Sequence, residues 1–378
     1  MGEQRHDTRC HPAPCLTSLV SRLLCLGLLL PPVVLVISCR QPEGRRGTQR
    51  PSVVVRAVQP KIKPNGRIAF LCDRDGNTDI FAMNPDGSGV TNLTRSHLND
   101  WSPAWSPDGT NIAFESDRDK NLYGNQQERA RRKPLCDIFV MNADGSGQTN
   151  LTHNAAQEGY PTWSPDGTRI AFDRAGDIWV MKPDGTQQER LTRDGDNVMQ
   201  PAWSPDGSRI ALTRFRERDY EIWTMNADGT QQRRLAGGRF PVWSPGGTKI
   251  AFDAGGAISV MEADGSGQIT LTQSGQLGYC PTWSPDGTQV AFFGGTKGGS
   301  GGVYVVRADG TGQPNLLSNS RGDQFPVWSP DGTKIAFESL RDGNLEIYVM
   351  NADGTGQTNL TRNPASDYRP VWGPAASH

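Results

Sequence analysis

Three short phrases recur seven times along this chain, and that recurrence limits the fold more than any other feature. The first, Pro-x-Trp-Ser-Pro-Asp-Gly-x-x-Ile-Ala-Phe, is complete from Pro161 to Phe172. Its tryptophans are Trp105, Trp163, Trp203, Trp243, Trp283, Trp328 and Trp372, spaced by 58, 40, 40, 40, 45 and 44 residues. The second, Ile-x-Val-Met-Asn-Ala-Asp-Gly, places its acid at Asp86, Asp144, Asp184, Asp228, Asp264, Asp309 and Asp353. The third, a Leu-Thr pair in most copies, follows at Leu93, Leu151, Leu191, Leu235, Leu271, Leu316 and Leu360. A unit of 40–45 residues rich in aromatic and β-branched residues has the period of a propeller blade.

Each unit reads as four strands. Pro-x-Trp-Ser is the first, and Pro-Asp-Gly turns into Arg-Ile-Ala-Phe, the second. Asp-Ile-Trp-Val-Met is the third, and the Asp-Gly-x-Gly turn leads to Gln-x-x-Leu-Thr, the fourth. Proline presets φ in such turns and glycine accepts φ > 0. One four-stranded sheet cannot cover both of its faces, so the units must stack radially. The sequence predicts an all-β, seven-bladed β-propeller, with six blades as the alternative. Pro370–Pro374 is a first strand with nothing after it, so the C-terminal strand is expected to close the ring, with Trp372 in the inner place. Pro60–Gly66 is a faded copy of that strand. The tryptophans are expected to pack between blades.

Ahead of the repeats, Arg5, Arg9 and Arg22 precede an apolar run from Leu23 to Ile37 broken by Gly27, Pro31 and Pro32. That is the length of a signal-peptide core, shorter than a membrane span. It ends in Val36-Ile37-Ser38-Cys39, which resembles the lipobox of bacterial lipoproteins and implies lipidation at Cys39. The expected organisation is a signal segment over 1–39, a polar tether over 40–58 and the propeller over 59–378. The expected location is the bacterial cell envelope, exported and lipid-anchored.

The repeat phrases resemble those of the TolB-type β-propeller family over about residues 60–374. The resemblance implies a propeller fold, an envelope location and protein partners. The family's namesake has six blades behind a small α/β domain, which this chain is expected to lack. The same repeat stands beside peptidase domains of the prolyl-oligopeptidase type.

Lys and Arg number 39 and Asp and Glu 40, a formal charge of -1, which argues against a nucleic-acid partner. Cys72, Cys136 and Cys280 are an odd number without CxxC spacing, so no metal knuckle or disulfide framework is expected. His97, His153 and His378 stand in no visible Ser/His/Asp constellation. Gly298–Gly302 matches Gly-x-Ser-x-Gly but lacks the strand-turn-helix setting of a nucleophile elbow. No cofactor and no catalytic residue are therefore expected. The expected function is a monomeric, non-enzymatic scaffold that binds an envelope protein or peptide, or a glycan. The alternatives are a propeller hydrolase or lactonase with a metal in its channel, or a peptidase-associated propeller.

Comparing the seven copies locates the variable face. The two glycine turns are nearly invariant, whereas the second-to-third-strand loops and the loops into the first strand differ in every copy. Binding specificity is expected on the latter face. Its longest loop, Ser116–Cys136, carries Lys120, Arg129, Arg131, Arg132 and Lys133 and reads as a basic finger or a solvated insertion. Asp79, Asp137, Asp177, Glu221 and Glu346 precede third strands whose loops also hold Arg74, Arg118, Arg174, Arg214 or Arg216, and Arg341, which suggests loop-bracing ion pairs between them. Three residues before the first-strand proline, Asp323, Asp367, Asp100 and Glu158 fall on four successive blades. Beside them stand Trp101, Tyr160, Met199, Phe240, Tyr279, Phe325 and Tyr368. An acidic arc joined to an aromatic rim would suit a basic or amphipathic peptide. Charge reversal of Asp323 and Asp367 is then expected to weaken capture with little loss of stability. The alternative is that the acids only hold their loops.

Overall fold

The computed structural model describes residues 66–119, 135–193, 197–273, 275–296, 301–318 and 322–375. The expected signal segment with Cys39, the expected tether, the faded strand copy at 60–64, residues 120–134 of the long basic loop and His378 lie outside them.

The described residues are all-β, in seven four-stranded antiparallel sheets. Blade 1 joins Asp367–Trp372 to Ile68–Cys72, Asp79–Met83 and Thr91–Asn92. The C-terminal strand is therefore the first strand of the N-terminal blade. Blade 2 runs from Asp100 to Asn150, blade 3 from Glu158 to Arg190 and blade 4 from Asn197 to Gly237. Blade 5 runs from Arg239 to Thr270, blade 6 from Gln276 to Ser318 and blade 7 from Gln324 to Asn359. First strands touch one another in succession around the whole ring, including Gln324–Trp328 against Asp367–Trp372 and the latter against Asp100–Trp105. They form the wall of a central channel.

Each blade presents two apolar faces. Ile68, Phe70, Ile112, Phe114, Ile170 and Phe172 from the Ile-Ala-Phe segments are fully buried. Seven apolar clusters each draw on two neighbouring blades, and the cluster of Phe70, Ala336, Ile347 and Val349 seals blade 7 against blade 1. The tryptophans pack at these junctions. The indole N–H of Trp163 donates to the Ala104 carbonyl of the preceding blade at 3.0 Å. Trp243, Trp283 and Trp372 donate likewise to Ala202, Val242 and Val327. At Trp105, Trp203 and Trp328 the same N–H is buried without an acceptor.

The repeated turns need their residues. In blade 2, Ser106 Oγ donates to Asp108 Oδ1 at 2.6 Å, Thr110 N–H donates to the same oxygen at 3.0 Å, and Gly109 has φ 72°. In the following turn Asp144 accepts from Ser146 N–H and Oγ at 2.9 and 2.6 Å. These exposed carboxylates are held below the usual range by the hydroxyl and backbone donors, Asp206 at about 2.

The first strand departs from the sequence reading. It begins two to five residues before the proline, and its register slips in every blade; in blade 2 the slip lies between Trp101 and Ala104. Ser102 and Pro103 together face Phe114, a β-bulge that tolerates proline because no ladder N–H is required there.

Candidate functional site: the channel mouth on the variable face

The bulge puts the residue before each proline in the left-handed region. Ser102, Tyr160, Gln200, Phe240, Cys280, Phe325 and Arg369 all have φ between 50° and 58°. Such a conformation is uncommon for non-glycine residues and costs about 1–3 kcal/mol each unless surrounding contacts impose it. The contact is visible in three blades. The N–H of Tyr160 donates to Glu115 Oε1 at 2.8 Å, that of Phe240 to Thr213 Oγ1 at 3.1 Å and that of Arg369 to Glu338 Oε2 at 2.8 Å. In each case the acceptor is on the preceding blade, directly after its Ile-Ala-Phe or Ile-Ala-Leu segment.

Bulge residues of blades 1, 3 and 6 lie within electrostatic reach of one another. The charge of Arg369 in blade 1 acts on Tyr160 in blade 3 and on Cys280 in blade 6. Blades that are not neighbours can meet this way only through the channel. Tyr160 is 48 % exposed. Burial, with the Glu115 and Asp173 charges beside it, raises its phenol above the ordinary value. Burial pushes the Cys280 thiol up to about 11, which makes it a poor nucleophile at neutral pH. Burial also raises the carboxyls of Glu115 and Glu338.

One wall of the mouth is aromatic. Tyr279 packs on Phe293 at 5.4 Å, Phe293 on Phe325 at 5.2 Å, and the Arg369 guanidinium lies 3.6 Å from the Phe325 ring centre. The opposite wall is polar, with Tyr160, Glu115, Asp173, Gln200 and Thr213. Thr213 Oγ1 donates to Gln200 Oε1 at 3.0 Å. Of the aromatic residues named from sequence, Tyr160, Phe240 and Phe325 are bulge residues. Trp101 and Tyr368 pack instead against the core between blades 1 and 2, where Tyr368 shares a 3.1 Å hydrogen bond with Thr78. Glu115, Asp173, Phe293 and Glu338 were missed. Their signal is the residue after the Ile-Ala-Phe segment, which is polar in five of the seven copies next to a wholly apolar triplet.

The acidic arc lies one layer away from the solvent-facing mouth. Asp100, Glu158 and Asp367 have 0 % exposure and Asp323 has 2 %. Arg118 Nη2 donates to both oxygens of Asp100 at 2.9 Å, and Arg341 Nη2 to both of Asp323 at 3.1 Å. Arg174 pairs with Glu158, and Arg74 lies 3.4 Å from Asp367. Burial pushes Asp100 up to about 6 and raises Asp367, in each case against the pull of its arginine. Arg74, Arg118, Arg174 and Arg341 thus form the expected ion pairs, but with the first-strand acids, which corrects the expected pairing in those four blades. In blade 4 the Arg216 charge acts on Glu221, as expected. Asp79 and Asp177 instead accept from the Leu-Thr hydroxyls of Thr94 and Thr192 at 2.8 and 3.0 Å. Asp177 and Glu221 pair with Arg190 and Arg234 of the fourth strand.

The arginines also tie blades together. Arg118 Nη1 donates to Gln148 Oε1, and Gln148 Nε2 donates to the Leu93 carbonyl of blade 1 at 3.0 Å. Arg341 and Gln357 repeat the link to Leu317 of blade 6. The Arg341 guanidinium lies 4.3 Å from the Tyr348 ring centre, and that of Arg74 lies 4.2 Å from Phe81. Among the described residues no three His, Cys, Asp or Glu side chains are grouped to hold a metal.

Seven four-stranded blades whose first strands touch in succession around a ring define a seven-bladed β-propeller. The TolB β-propeller domain pattern matches residues 129–256 and 253–378, and the chain belongs to that family. A TolB homolog of Chlorobium luteolum is 34% identical over 93 residues, 25% of this chain and 18% of that protein. An uncharacterized protein of Agrobacterium fabrum is 32% identical over 119 residues, 30% of this chain and 39% of that one. The matched region thus spans well under half the length of these relatives. TolB from Acinetobacter baumannii superposes with a TM-score of 0.51 at 20% identity, covering 82% of this chain and 67% of that chain. Oligogalacturonate lyase from Vibrio parahaemolyticus superposes with a TM-score of 0.58 at 11% identity, covering 79% and 87%, a likeness of fold alone.

Proposed function

We propose that the protein is a non-enzymatic, exported envelope scaffold, lipid-anchored at Cys39, that captures a protein or peptide at the channel mouth of its variable face. The observation that carries this is the ring of seven bulge residues. A repeated backbone device holds seven side chains at one level, and the seven are all different except for two phenylalanines. An aromatic wall facing a wall of carboxylates and amides complements an amphipathic segment with basic or donor groups along one side. The acids of that wall are Glu115 and Asp173, in place of the buried arc.

The relatives named as TolB support an envelope location, and one, from Geobacter sulfurreducens, is named as a Tol-Pal system protein. Cys39→Ser should move the protein out of the membrane fraction. For the mouth, a photo-crosslinking residue at position 160 in cells should trap a discrete partner. The same residue at position 90, beside the opposite glycine turns and 38 % exposed, should not. Equal adducts at both positions, or none at 160, would refute the reading.

A further inference from the structure

Between blades 4 and 5 lies a cleft of about 600 Å³, outside the ring of bulge residues. Arg218, Tyr220, Glu221, Arg234, Arg239 and Asp253 line it, with Asp219 at its edge and glycines 237, 238 and 255 along its floor. Its volume lies within the roughly 300–1,000 Å³ of small-molecule sites. A side chain at 238 would not fit, because a Cβ there would meet the Asp253 carbonyl at 2.6 Å and the Phe252 ring at 2.7 Å.

The polar groups of the cleft are held in place. Asp253, with 0 % exposure, accepts from Arg239 Nε at 2.9 Å and from the Gly256 N–H at 2.7 Å. Glu221 accepts from Arg234 Nε at 2.5 Å and from Trp223 Nε1 at 2.9 Å. Each guanidinium keeps further N–H groups, and each carboxylate further lone pairs. Tyr220 is 39 % exposed and rests on Phe215 at 4.9 Å, so it stands as a fixed aromatic platform. Arg218 makes no hydrogen bond or ion pair among the described residues. It sits at the hairpin tip with Glu217, both left-handed, at φ 77° and 52°. A two-residue turn of this kind ordinarily takes Asn-Gly.

The charges select the ligand class. Three arginines face three carboxylates, so an anion meets as much repulsion as attraction, and so does a cation. A neutral ligand with many hydroxyls uses both signs, since each hydroxyl donates to carboxylate and accepts from guanidinium. We propose that this cleft is a saccharide site taking one or two neutral sugar rings, stacked on Tyr220 and hydrogen-bonded to the Arg239–Asp253 and Arg234–Glu221 pairs. The cleft adjoins the channel mouth, with the Arg239 guanidinium 5.3 Å from the Phe240 ring centre, but the saccharide site does not depend on the function proposed there.

Ligand-observed NMR on the full chain tests it, with cellobiose and N,N′-diacetylchitobiose as neutral probes and citrate as the anionic one. At least one disaccharide should bind saturably. Tyr220→Ala should weaken that binding by about tenfold, and Phe325→Ala in the channel should leave it unchanged. Arg218→Gly relieves the left-handed backbone, so it should keep the melting temperature at or above wild type while weakening the disaccharide severalfold. The proposal is overturned if neither disaccharide binds, if citrate alone binds, or if binding follows Phe325 and ignores Tyr220 and Arg218.

Discussion

Blades 7, 1, 2 and 3 form one arc of the ring, and blades 4, 5 and 6 form the other. The first arc carries a buried acid at the start of its first strand or just before it in every blade, each met by an arginine at the end of the second strand or in the connection after it. The second arc has Val198, Gly238 and Gly278 at that place. At Gly278 a Cβ would meet Ile258 at 2.7 Å, so the neighbouring blade already fills the space the acid would need. In blades 4 and 6, where the acid is missing, the hairpin continues as strand, whereas the blade 5 strands Lys249–Asp253 and Ile258–Glu262 stay at five residues. Arg209–Arg216, Asp219–Asn226 and Gln289–Thr296 each run for eight residues. Blade 5 pairs Arg239 with Asp253 in a different geometry, and the cleft opens beside it. A buried ion pair thus fixes where a connection leaves its sheet, and its absence leaves room for a longer hairpin and a polar cleft.

Reversing the charge of the clamp acids tests this contrast most severely. Asp323→Lys with Asp367→Lys places two cations beside two arginines in buried sites. Breaking a buried pair costs about 3–5 kcal/mol, and two such losses rival the roughly 5–15 kcal/mol stability of a whole domain. The expected outcome is loss of a cooperative unfolding transition, in contrast to the mild effect the sequence led us to expect. A soluble double variant with a wild-type melting curve would show that the clamp holds nothing.

Trp203→Ala probes the other arc through ordinary packing and should cost about 3–5 kcal/mol in denaturant unfolding. An unchanged midpoint would place the indole outside the blade junction. Val198→Glu sharpens the comparison further. Val198 stands opposite Arg214 as Glu158 stands opposite Arg174. If the arcs differ only in that acid, the new carboxylate finds the guanidinium, and stability should change by less than about 1.5 kcal/mol rather than the several expected for an unpaired buried charge. Extensive unfolding would mean that blade 4 cannot host the clamp. A smaller effect separates Gln148, which links a clamp to the preceding blade, from Gln268, which is exposed in blade 5. Gln148→Ala should cost about 1 kcal/mol and Gln268→Ala less than about 0.5.

The pH dependence is the gentlest test. Asp206 is held at about 2, below the ordinary carboxylate value, so it contributes stability that is present above pH 4 and is lost as pH falls toward 2. Asp100, raised to about 6, has the opposite sign, and its contribution grows as pH falls from 6 toward 4. The melting temperature should rise slightly from pH 7 to 5 and drop below pH 4. A steady fall from pH 7 would remove Asp100 from the account.

Much of the fold was legible because its causes are local. Ser-Pro-Asp-Gly closes its turn through hydrogen bonds within five residues, so its five copies and the Ser-Pro-Gly-Gly variant at 244–247 each announce a hairpin. Ile-Ala-Phe is buried wherever it occurs, and the unpaired Pro370–Pro374 strand foretold the closure that pairs Ile68 with Trp372. The site was less legible. Composition and spacing brought out Asp100, Glu158, Asp323 and Asp367 but not their depth. They also placed Trp101 and Tyr368 on a rim when both support a blade junction.

What the sequence determined by itself is the period, the turns and the apolar triplets, because each depends on residues within one short segment, whereas the pairing of Ile68 with Trp372 decided seven blades over six. Tertiary structure decided which acid meets which arginine and which side chains enter the channel. A one-residue slip moves every following side chain to the other face of a strand. The bulge before each proline makes that slip, and its left-handed residue is held where an acceptor of the preceding blade reaches its N–H, as Glu115 reaches that of Tyr160. That acceptor is 45 residues away in the chain, and no local pattern records the distance between them.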